Sequence, residues 1–134
     1  MTERAEPKVF AFDKIDWVDE RAEANAAPEL IAEAEKTGAR RKRISRGQGG
    51  FFHQFTTMPP GFEVPMHSHD HDELLIVLAG GCTFWLDGPD QSIELEPRDS
   101  VVLAADHPYA FVCGKDGMEF YVIRQGEAGV TQMK

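Results

Sequence analysis

Cysteine is scarce in this chain, and acidic residues outnumber basic ones. The 134 residues include two cysteines, Cys82 and Cys113, which are too few and too scattered for a disulfide framework. We expect both to be reduced thiols that pack as small hydrophobic side chains in strands. The chain has 14 Lys and Arg against 23 Asp and Glu, a formal net charge of -9. A nucleic-acid partner is therefore not expected, because it would require a basic face.

Long apolar segments are also missing. The longest, Leu74 to Ala79, is far shorter than the roughly 20 residues needed to cross a bilayer. The N-terminus MTERAEPK has no apolar signal-peptide core. We therefore expect a cytoplasmic protein with no membrane partner. Glycine-rich phosphate loops, GxSxG elbows and CxxC pairs are absent from the sequence too, so the nucleotide-binding, hydrolase and redox classes that depend on them are not indicated.

Charge is divided unevenly along the chain. Residues 1–46 carry 10 basic and 10 acidic side chains, whereas residues 47–134 carry 4 and 13. A negative field over the second part favours a neutral substrate, or an anion whose charge a bound metal neutralises. The one basic run, RRKR at Arg40 to Arg43, is typical of a solvated strand edge. Docking of a nucleic acid or another anion is the alternative for this run.

The size of the chain predicts one domain, and a change of pattern near Gly38 divides it. Residues 1–38 are expected to form an N-terminal extension packed on the rest of the chain. It begins with a short strand at KVFAF, Lys8 to Phe12, and continues with a helix in APELIAEAEKTG, where Pro28 lies in the first turn. Residues 39–134 are expected to form the main unit.

From Ala39 onward, short β-rich runs are separated by turn residues at nearly even spacing, which predicts an all-β sandwich or barrel. The nine predicted strands are Arg40 to Ser45, Phe51 to Thr57, Glu63 to His67, Glu73 to Ala79, Cys82 to Leu86, Gln91 to Leu95, Ser100 to Ala104, Tyr109 to Cys113 and Met118 to Arg124. Nine strands joined by such short turns close most naturally into a small double-sheet barrel.

A cluster of histidines and acids, HSHDHDE, lies between two predicted strands. His67 and His69 are two residues apart, so on a strand both side chains project to the same face. With Glu73 they form a set of two imidazoles and one carboxylate, which binds a divalent metal and leaves positions open for substrate. A polar surface turn is the alternative, because the residues after His69 are acidic and turn-prone. His71 is expected to face solvent.

The cluster belongs to a longer pattern. Every position of G(x)5HxH(x)3E(x)6G is filled, by Gly61, His67, His69, Glu73 and Gly80. In this frame, and in strand spacing from about Phe51 to Arg124, the chain resembles the cupin superfamily, whose first motif this is. The resemblance implies a small jelly-roll barrel, or double-stranded β-helix. It also implies that His67, His69 and Glu73 bind iron, manganese, nickel, copper or zinc near the barrel mouth.

The second cupin motif departs from its usual form. The segment EPRDSVVLAADHPYAFV has Tyr109 where that motif has a metal-binding His, and Asp99 where it has a Gly. Tyr109 would be either a fourth ligand as a phenolate or a protonated acid/base. Since its ordinary pKa is near 10, a nearby cation would be needed to ionise it. His107 is the alternative ligand, and a core position for Tyr109 is also open.

Three further residues are candidates for the pocket wall. His53 shares a strand face with Phe51 and Phe55. If that face lines the barrel, His53 is a hydrogen-bond donor or acid/base beside the metal, and otherwise it is an exposed strand residue. Phe111 and Met66 are expected in the core or the pocket wall.

The leading functional hypothesis is an oxygenase. Two His and one carboxylate are the ligands of non-heme Fe(II) oxygenases, so the chain would be an iron (di)oxygenase acting on a small organic molecule. The first alternative is an isomerase, lyase or decarboxylase that uses the metal as a Lewis acid, with Tyr109 as base. The second is a domain that binds or senses a small ligand without turnover. A homodimer, common among cupins, is expected, with the N-terminal strand or helix covering a sheet edge.

Overall fold

The computed structural model describes residues 6–19, 38–86, 90–125 and 130–132. Residues 130–132 are described as backbone only. Eight strands are present: β1 (Arg40–Arg46), β2 (Phe52–Met58), β3 (Glu63–His69), β4 (Glu73–Trp85), β5 (Ser92–Leu95), β6 (Ser100–Leu103), β7 (Tyr109–Arg124) and β8 (Val130–Gln132). Short 3-10 turns lie at Phe12–Lys14 and Gln48–Gly50. Within these described ranges, no helix has the length and apolar character required to span a membrane.

Two long strands replace four of the predicted ones. β4 joins the two strands predicted on either side of AGG, and β7 joins the last two predicted strands. The glycines between them mark bends inside continuous strands, not turns that end them. In β4 the pairing with β7 shifts register between Val77 and Ala79 and again between Gly80 and Cys82. Such irregularities bend a strand sharply without breaking its ladder.

The bends let β4 and β7 contribute to both walls of a barrel. The first half of β4 pairs with β6 and with the second half of β7. The second half of β7 also pairs with β2, and β2 pairs with β1. The second half of β4 pairs with β5 and with the first half of β7. The first half of β7 also pairs with β3, and β3 pairs with β8. All these pairings are antiparallel. The predicted all-β jelly-roll barrel is therefore confirmed.

Aromatic side chains from both walls fill the barrel. The Phe84 ring stacks on Tyr109 at 5.4 Å and on Phe111 at 5.7 Å between centroids. Phe111 meets Phe120 of the other wall edge to face at 5.9 Å. These contacts join the two walls through one apolar core.

The two cysteines are buried free thiols, as predicted. Cys82 of β4 and Cys113 of β7 are Cα partners. Burial raises the pKa of Cys82 to about 12 and that of Cys113 to about 11. Both therefore pack as neutral, unreactive side chains at neutral pH.

The N-terminal residues 6–19 lie on the outer side of β1 and β2. The strand predicted at Lys8 to Phe12 does not form, and Phe12 begins a 3-10 turn. Separate contacts hold this segment in place of a strand ladder. Phe12 packs edge-on against Phe55 at 4.9 Å, Lys42 Nζ donates to the Phe12 carbonyl at 2.8 Å, and the Val18 N–H donates to the Arg41 carbonyl at 2.8 Å. The helix predicted up to Gly38 falls almost entirely on residues 20–37, outside the described ranges.

The basic run RRKR is divided between the two faces of β1. Lys42 is only 5% exposed and lies 4.0 Å from the Phe12 ring centroid, while the Arg40 guanidinium lies 4.1 Å from that of Trp17. Arg41 and Arg43 alternate to the other face. The prediction of a solvated strand edge is wrong for Lys42, since the N-terminal aromatic residues cover it and supply cation-π contacts.

Candidate functional site

Two histidines lie side by side on β3. His67 and His69 project to the same face, with ring centroids 5.0 Å apart, as the alternation of a strand predicts. His67 is buried, and its Nδ1 lies 2.8 Å from the Pro65 carbonyl oxygen. That nitrogen must carry the proton, because the carbonyl only accepts. The Nε2 of His67 therefore keeps a lone pair.

Glu73 begins β4 in the other wall of the barrel. Its Cα partners are Leu103 of β6 and Arg124 of β7, and the residue is only 3% exposed. Its carboxylate faces the histidines, with Oε1 lying 3.5 Å from His69 Nε2. The closure of the barrel thus brings His69 and Glu73 together, as the sequence pattern implies.

Tyr109 joins this pair from the start of β7. It is the Cα partner of His67 and is 5% exposed. Its hydroxyl donates to Glu73 Oε1 at 2.8 Å and lies 3.1 Å from His69 Nε2. The phenol therefore lies inside the cluster, within hydrogen-bonding distance of two of the three predicted ligands.

Arg124 completes the cluster, and the sequence analysis missed it. Its Nη1 donates to Glu73 Oε2 at 3.3 Å, so each carboxylate oxygen of Glu73 has its own donor. Arg124 lies outside the sequence pattern, but it shares strand parity with the buried Phe120 and Val122. That parity was the available signal, because a charged residue on an inward face requires a partner.

Burial determines the protonation of the cluster. Burial is the largest of three causes that raise the pKa of Tyr109 well above its ordinary value of 10.0. The other two are the charge of Glu73 and the hydrogen bond to its carboxylate. Arg124 opposes this rise. Burial also lowers the pKa of His67 below 6.5, although the Pro65 carbonyl and Glu73 act in the other direction. At neutral pH the site therefore holds a protonated phenol and a neutral His67.

The donor atoms of the cluster are of kinds that bind divalent metals. Tyr109 Oη, Glu73 Oε1 and His69 Nε2 lie 2.8, 3.1 and 3.5 Å from one another, which are hydrogen-bond and ion-pair distances. One of these three atoms is a tyrosine oxygen. Across the described residues, no group of three or more His, Cys, Asp or Glu side chains is placed to hold a metal.

Residues 54–124 match the model of the cupin domain family. The chain is a cupin. The match covers just over half of the sequence and agrees with the span from Phe51 to Arg124 over which the motifs resemble that family.

Solved structures with the same fold include proteins of different kinds. This cupin is similar to KdgF from Halomonas sp., with a TM-score of 0.66 and 19% identity over 90% of this chain and 96% of that one. It is similar to the polyketide cyclase RemF from Streptomyces resistomycificus, with a TM-score of 0.68 and 17% identity over 100% and 87%. The DMSP lyase DddQ from Ruegeria pomeroyi DSS-3 gives 0.67 and 18% over 90% and 62%. These likenesses show the fold alone. No curated protein matches the sequence.

A surface groove of about 580 Å³ has Glu73 and Arg124 among its lining residues. One side is apolar, since Val102, Leu74 and Ile123 are Cα partners in three adjacent strands. The loop between β3 and β4 supplies polar residues on the other side.

His107 does not join the cluster. Its Nε2 donates to the Leu86 carbonyl at 3.1 Å, just beyond the end of β4 that is opposite Glu73. The structure therefore places Tyr109, and not His107, beside His69 and Glu73. The physical reason is register, because Tyr109 is the residue of β7 that pairs with His67.

His53 lies on the side of β2 opposite the barrel interior, so its predicted place in the pocket wall is wrong. It accepts a hydrogen bond from Ser45 N–H at 3.3 Å, and its ring contacts those of Phe10 and Tyr121. Burial lowers its pKa. The inner face of β2 is instead formed by Phe52 and its alternate neighbours, which pair with Arg124 and the inward residues of β7.

Phe111 and Met66 are also placed away from the groove. Phe111 is buried in the aromatic core, so of the two predicted roles the core position is confirmed. Met66 is half-buried in the irregular stretch of β3 between Val64 and His67.

Proposed function

We propose that this cupin is an enzyme that transfers a proton to a small organic molecule, with Tyr109 as the acid, at a site that binds a divalent metal. The supporting observation is the position of the Tyr109 hydroxyl, which is within hydrogen-bonding distance of both Glu73 and His69. A phenol held between a carboxylate and an imidazole belongs to a proton path.

The protonation of the site favours Tyr109 as an acid and not as the base suggested by the sequence. In the metal-free site, burial and the charge of Glu73 raise its pKa, so the phenol is protonated at neutral pH. A proton given by Tyr109 to a substrate oxygen can be replaced through His69, whose Nε2 lies 3.1 Å away. Arg124 holds Glu73 in place, so that its carboxylate keeps the hydroxyl oriented.

His67, His69 and Glu73 are the residues that would hold the metal, with Tyr109 beside them. A bound metal would supply a Lewis acid that polarises a carbonyl group. The tautomer of His67 supports this role, because donation from Nδ1 to Pro65 is the arrangement that orients a metal-binding imidazole through Nε2.

The reaction class best supported is an isomerisation, elimination or dehydration without oxygen. A non-heme oxygenase uses two His and one carboxylate, so the donor set also supports an Fe(II) (di)oxygenase as a second candidate. In this cupin, however, the Tyr109 hydroxyl lies within hydrogen-bonding distance of His69 and Glu73 and adds a proton donor to that set. The cyclase and the lyase of the same fold are consistent with chemistry that needs no oxygen.

Metal content is the first test. Protein purified without chelators is analysed by elemental mass spectrometry beside His67→Ala and the matched control His71→Ala, whose side chain is 40% exposed at the rim. We expect a near-stoichiometric divalent metal, retained in the control and lost in His67→Ala. Absence of metal from all three, even after incubation with Fe(II), Mn(II), Ni(II) and Zn(II), would contradict the metal site.

Proton transfer is tested directly by isotope exchange. A panel of small carbonyl compounds is incubated with the protein in D2O, under air and under nitrogen, and deuterium incorporation is followed by NMR. Tyr109→Phe should slow the exchange by at least about a hundredfold, while Tyr121→Phe should not. A product that forms only under air would select the oxygenase, and binding without exchange would select a ligand-binding domain.

A further inference from the structure

Three arginines from two strands meet around a small cavity where β1, β2 and β7 end together. Arg46, Phe52 and Arg124 are Cα partners across these strands, and Arg43 is the partner of Gln54 on the same face. All five residues line a cavity of about 20 Å³. That volume holds one group the size of a water molecule or a single oxygen atom.

The charge around this cavity is unusual for the protein. The whole chain carries a net charge of -9, yet none of the described residues that line the cavity is acidic. Arg124 is paired with Glu73 through Nη1. Arg43 and Arg46 bring two further guanidinium groups to the same cavity, where an anion would contact their N–H donors.

Two buried polar atoms at the cavity lack partners. Arg124 Nε and Gln54 Oε1 have no hydrogen-bond partner among the described residues, although both are shielded from solvent. A buried N–H without an acceptor is destabilising. Rotation of the Gln54 amide would exchange Oε1 for NH2 at this buried position and so provide a second N–H donor beside the cavity. The nearby Ser45 and His53 already hydrogen-bond to each other.

We propose that this cavity receives one oxygen of a small carboxylate or phosphate, whose remaining atoms lie outside it against Arg46. Guanidinium groups bind these two anions through paired N–H donors, and Arg46 is exposed and able to contact the outer part of the ligand. The sequence left anion docking open as an alternative for the run RRKR. Strand alternation gives that role to Arg43, because Lys42 faces the N-terminal aromatic residues.

This site is separate from the proposed proton-transfer chemistry, although both use Arg124. The guanidinium donates to Glu73 on one side and faces the cavity on the other. Anion binding requires neither the metal nor turnover. Failure of one proposal therefore leaves the other intact.

The test is an NMR titration of the full-length chain, as purified and after chelator treatment. Sodium acetate and then sodium phosphate replace sodium chloride at constant sodium concentration, and the Arg124 Nε–H signal and the backbone amides of Ser45 and Arg46 are followed. We expect saturable shifts. Acetate alone would identify a carboxylate ligand, and phosphate alone a phosphate ligand.

Matched charge-removing variants localise the binding. Arg46→Gln and Arg43→Gln should each weaken the affinity at least about tenfold, as expected for the loss of a charged hydrogen bond. Arg98→Gln, which removes an exposed arginine in the turn before β6, should stay within about twofold of the wild type. Circular dichroism checks that each variant is folded. Shifts that never saturate, or equal weakening in Arg98→Gln, would show that the cavity holds only water and would overturn the proposal.

Discussion

At the scale of single residues, the Tyr109 hydroxyl links two barrel walls. It donates to Glu73, which comes from β4, while its own backbone pairs with His67 of β3. Loss of this hydroxyl leaves the buried Oε1 of Glu73 without that donor.

We therefore predict that Tyr109→Phe lowers the free energy of unfolding by about 1–3 kcal/mol. Urea denaturation of the variant measures the change. Tyr121→Phe is the matched control, because Tyr121 lies on the outer face of β7 and packs against Phe55 and His53 through its ring. Equal destabilisation by both substitutions would contradict the role of the Tyr109 hydrogen bond.

The pH dependence of stability follows from His67. Burial holds its pKa below the ordinary value of 6.5 in the folded chain, so the unfolded chain binds more protons just below that pH. Stability is therefore predicted to fall as the pH drops below 6.5, with a slope from this group of at most about 1.4 kcal/mol per pH unit. His53, whose pKa is also lowered by burial, acts in the same direction.

Urea unfolding of chelator-treated protein between pH 7.5 and 5.5 measures this slope. His67→Asn should reduce it, because the substituted side chain does not titrate. A slope that is unchanged in the variant would show that other groups control stability in this range.

The sequence identified most of the cluster at this scale. His67, His69 and Glu73 were found because their spacing is local and matches strand alternation. Tyr109 was found as a departure from a motif, although its role stayed open. Arg124 was missed, because nothing in its neighbourhood indicates that it would lie opposite Glu73.

At the scale of elements, the bends of β4 and β7 determine the barrel. Gly80 has φ +70°, and a Cβ there would lie 2.1 Å from the Gly117 carbonyl oxygen. The sequence analysis assigned AGG to a turn, because local residues do not distinguish a turn from a bend inside a paired strand. Only the pairing of β4 with β7 on both sides of the bend decides this.

Gly80→Ala is predicted to destabilise the protein by about 3 kcal/mol or more, since the added methyl group meets backbone in a left-handed conformation. Gly114→Ala is the control. Its Cβ would lie 3.6 Å from the nearest carbonyl oxygen, an ordinary contact, and a change within about 1 kcal/mol is expected. Thermal unfolding of both variants measures the difference, and similar values for the two would contradict the crowding at Gly80.

At the scale of the whole molecule, assembly is still a prediction. Residues 6–19 cover the outer side of their own β1 and β2, while Val102 and Ile93 are large apolar residues that are 74% and 53% exposed. We propose a homodimer that covers the exposed apolar surface around Val102. Sedimentation equilibrium at micromolar concentration should give twice the mass of one chain. The mass of a single chain at every concentration tested would contradict it.

The sequence alone determined the class of fold and the position of the candidate site. Short strands with alternating patterns bury one face by packing into a sandwich or barrel, and the motif residues are near neighbours along the chain. Tertiary structure decided the rest. The contacts of Tyr109 and Arg124 with Glu73 join residues 36 and 51 positions apart, and the arginines of β1 meet Arg124 across three strands. Such contacts depend on register and on the bends of two strands, and both are set by packing across the whole barrel.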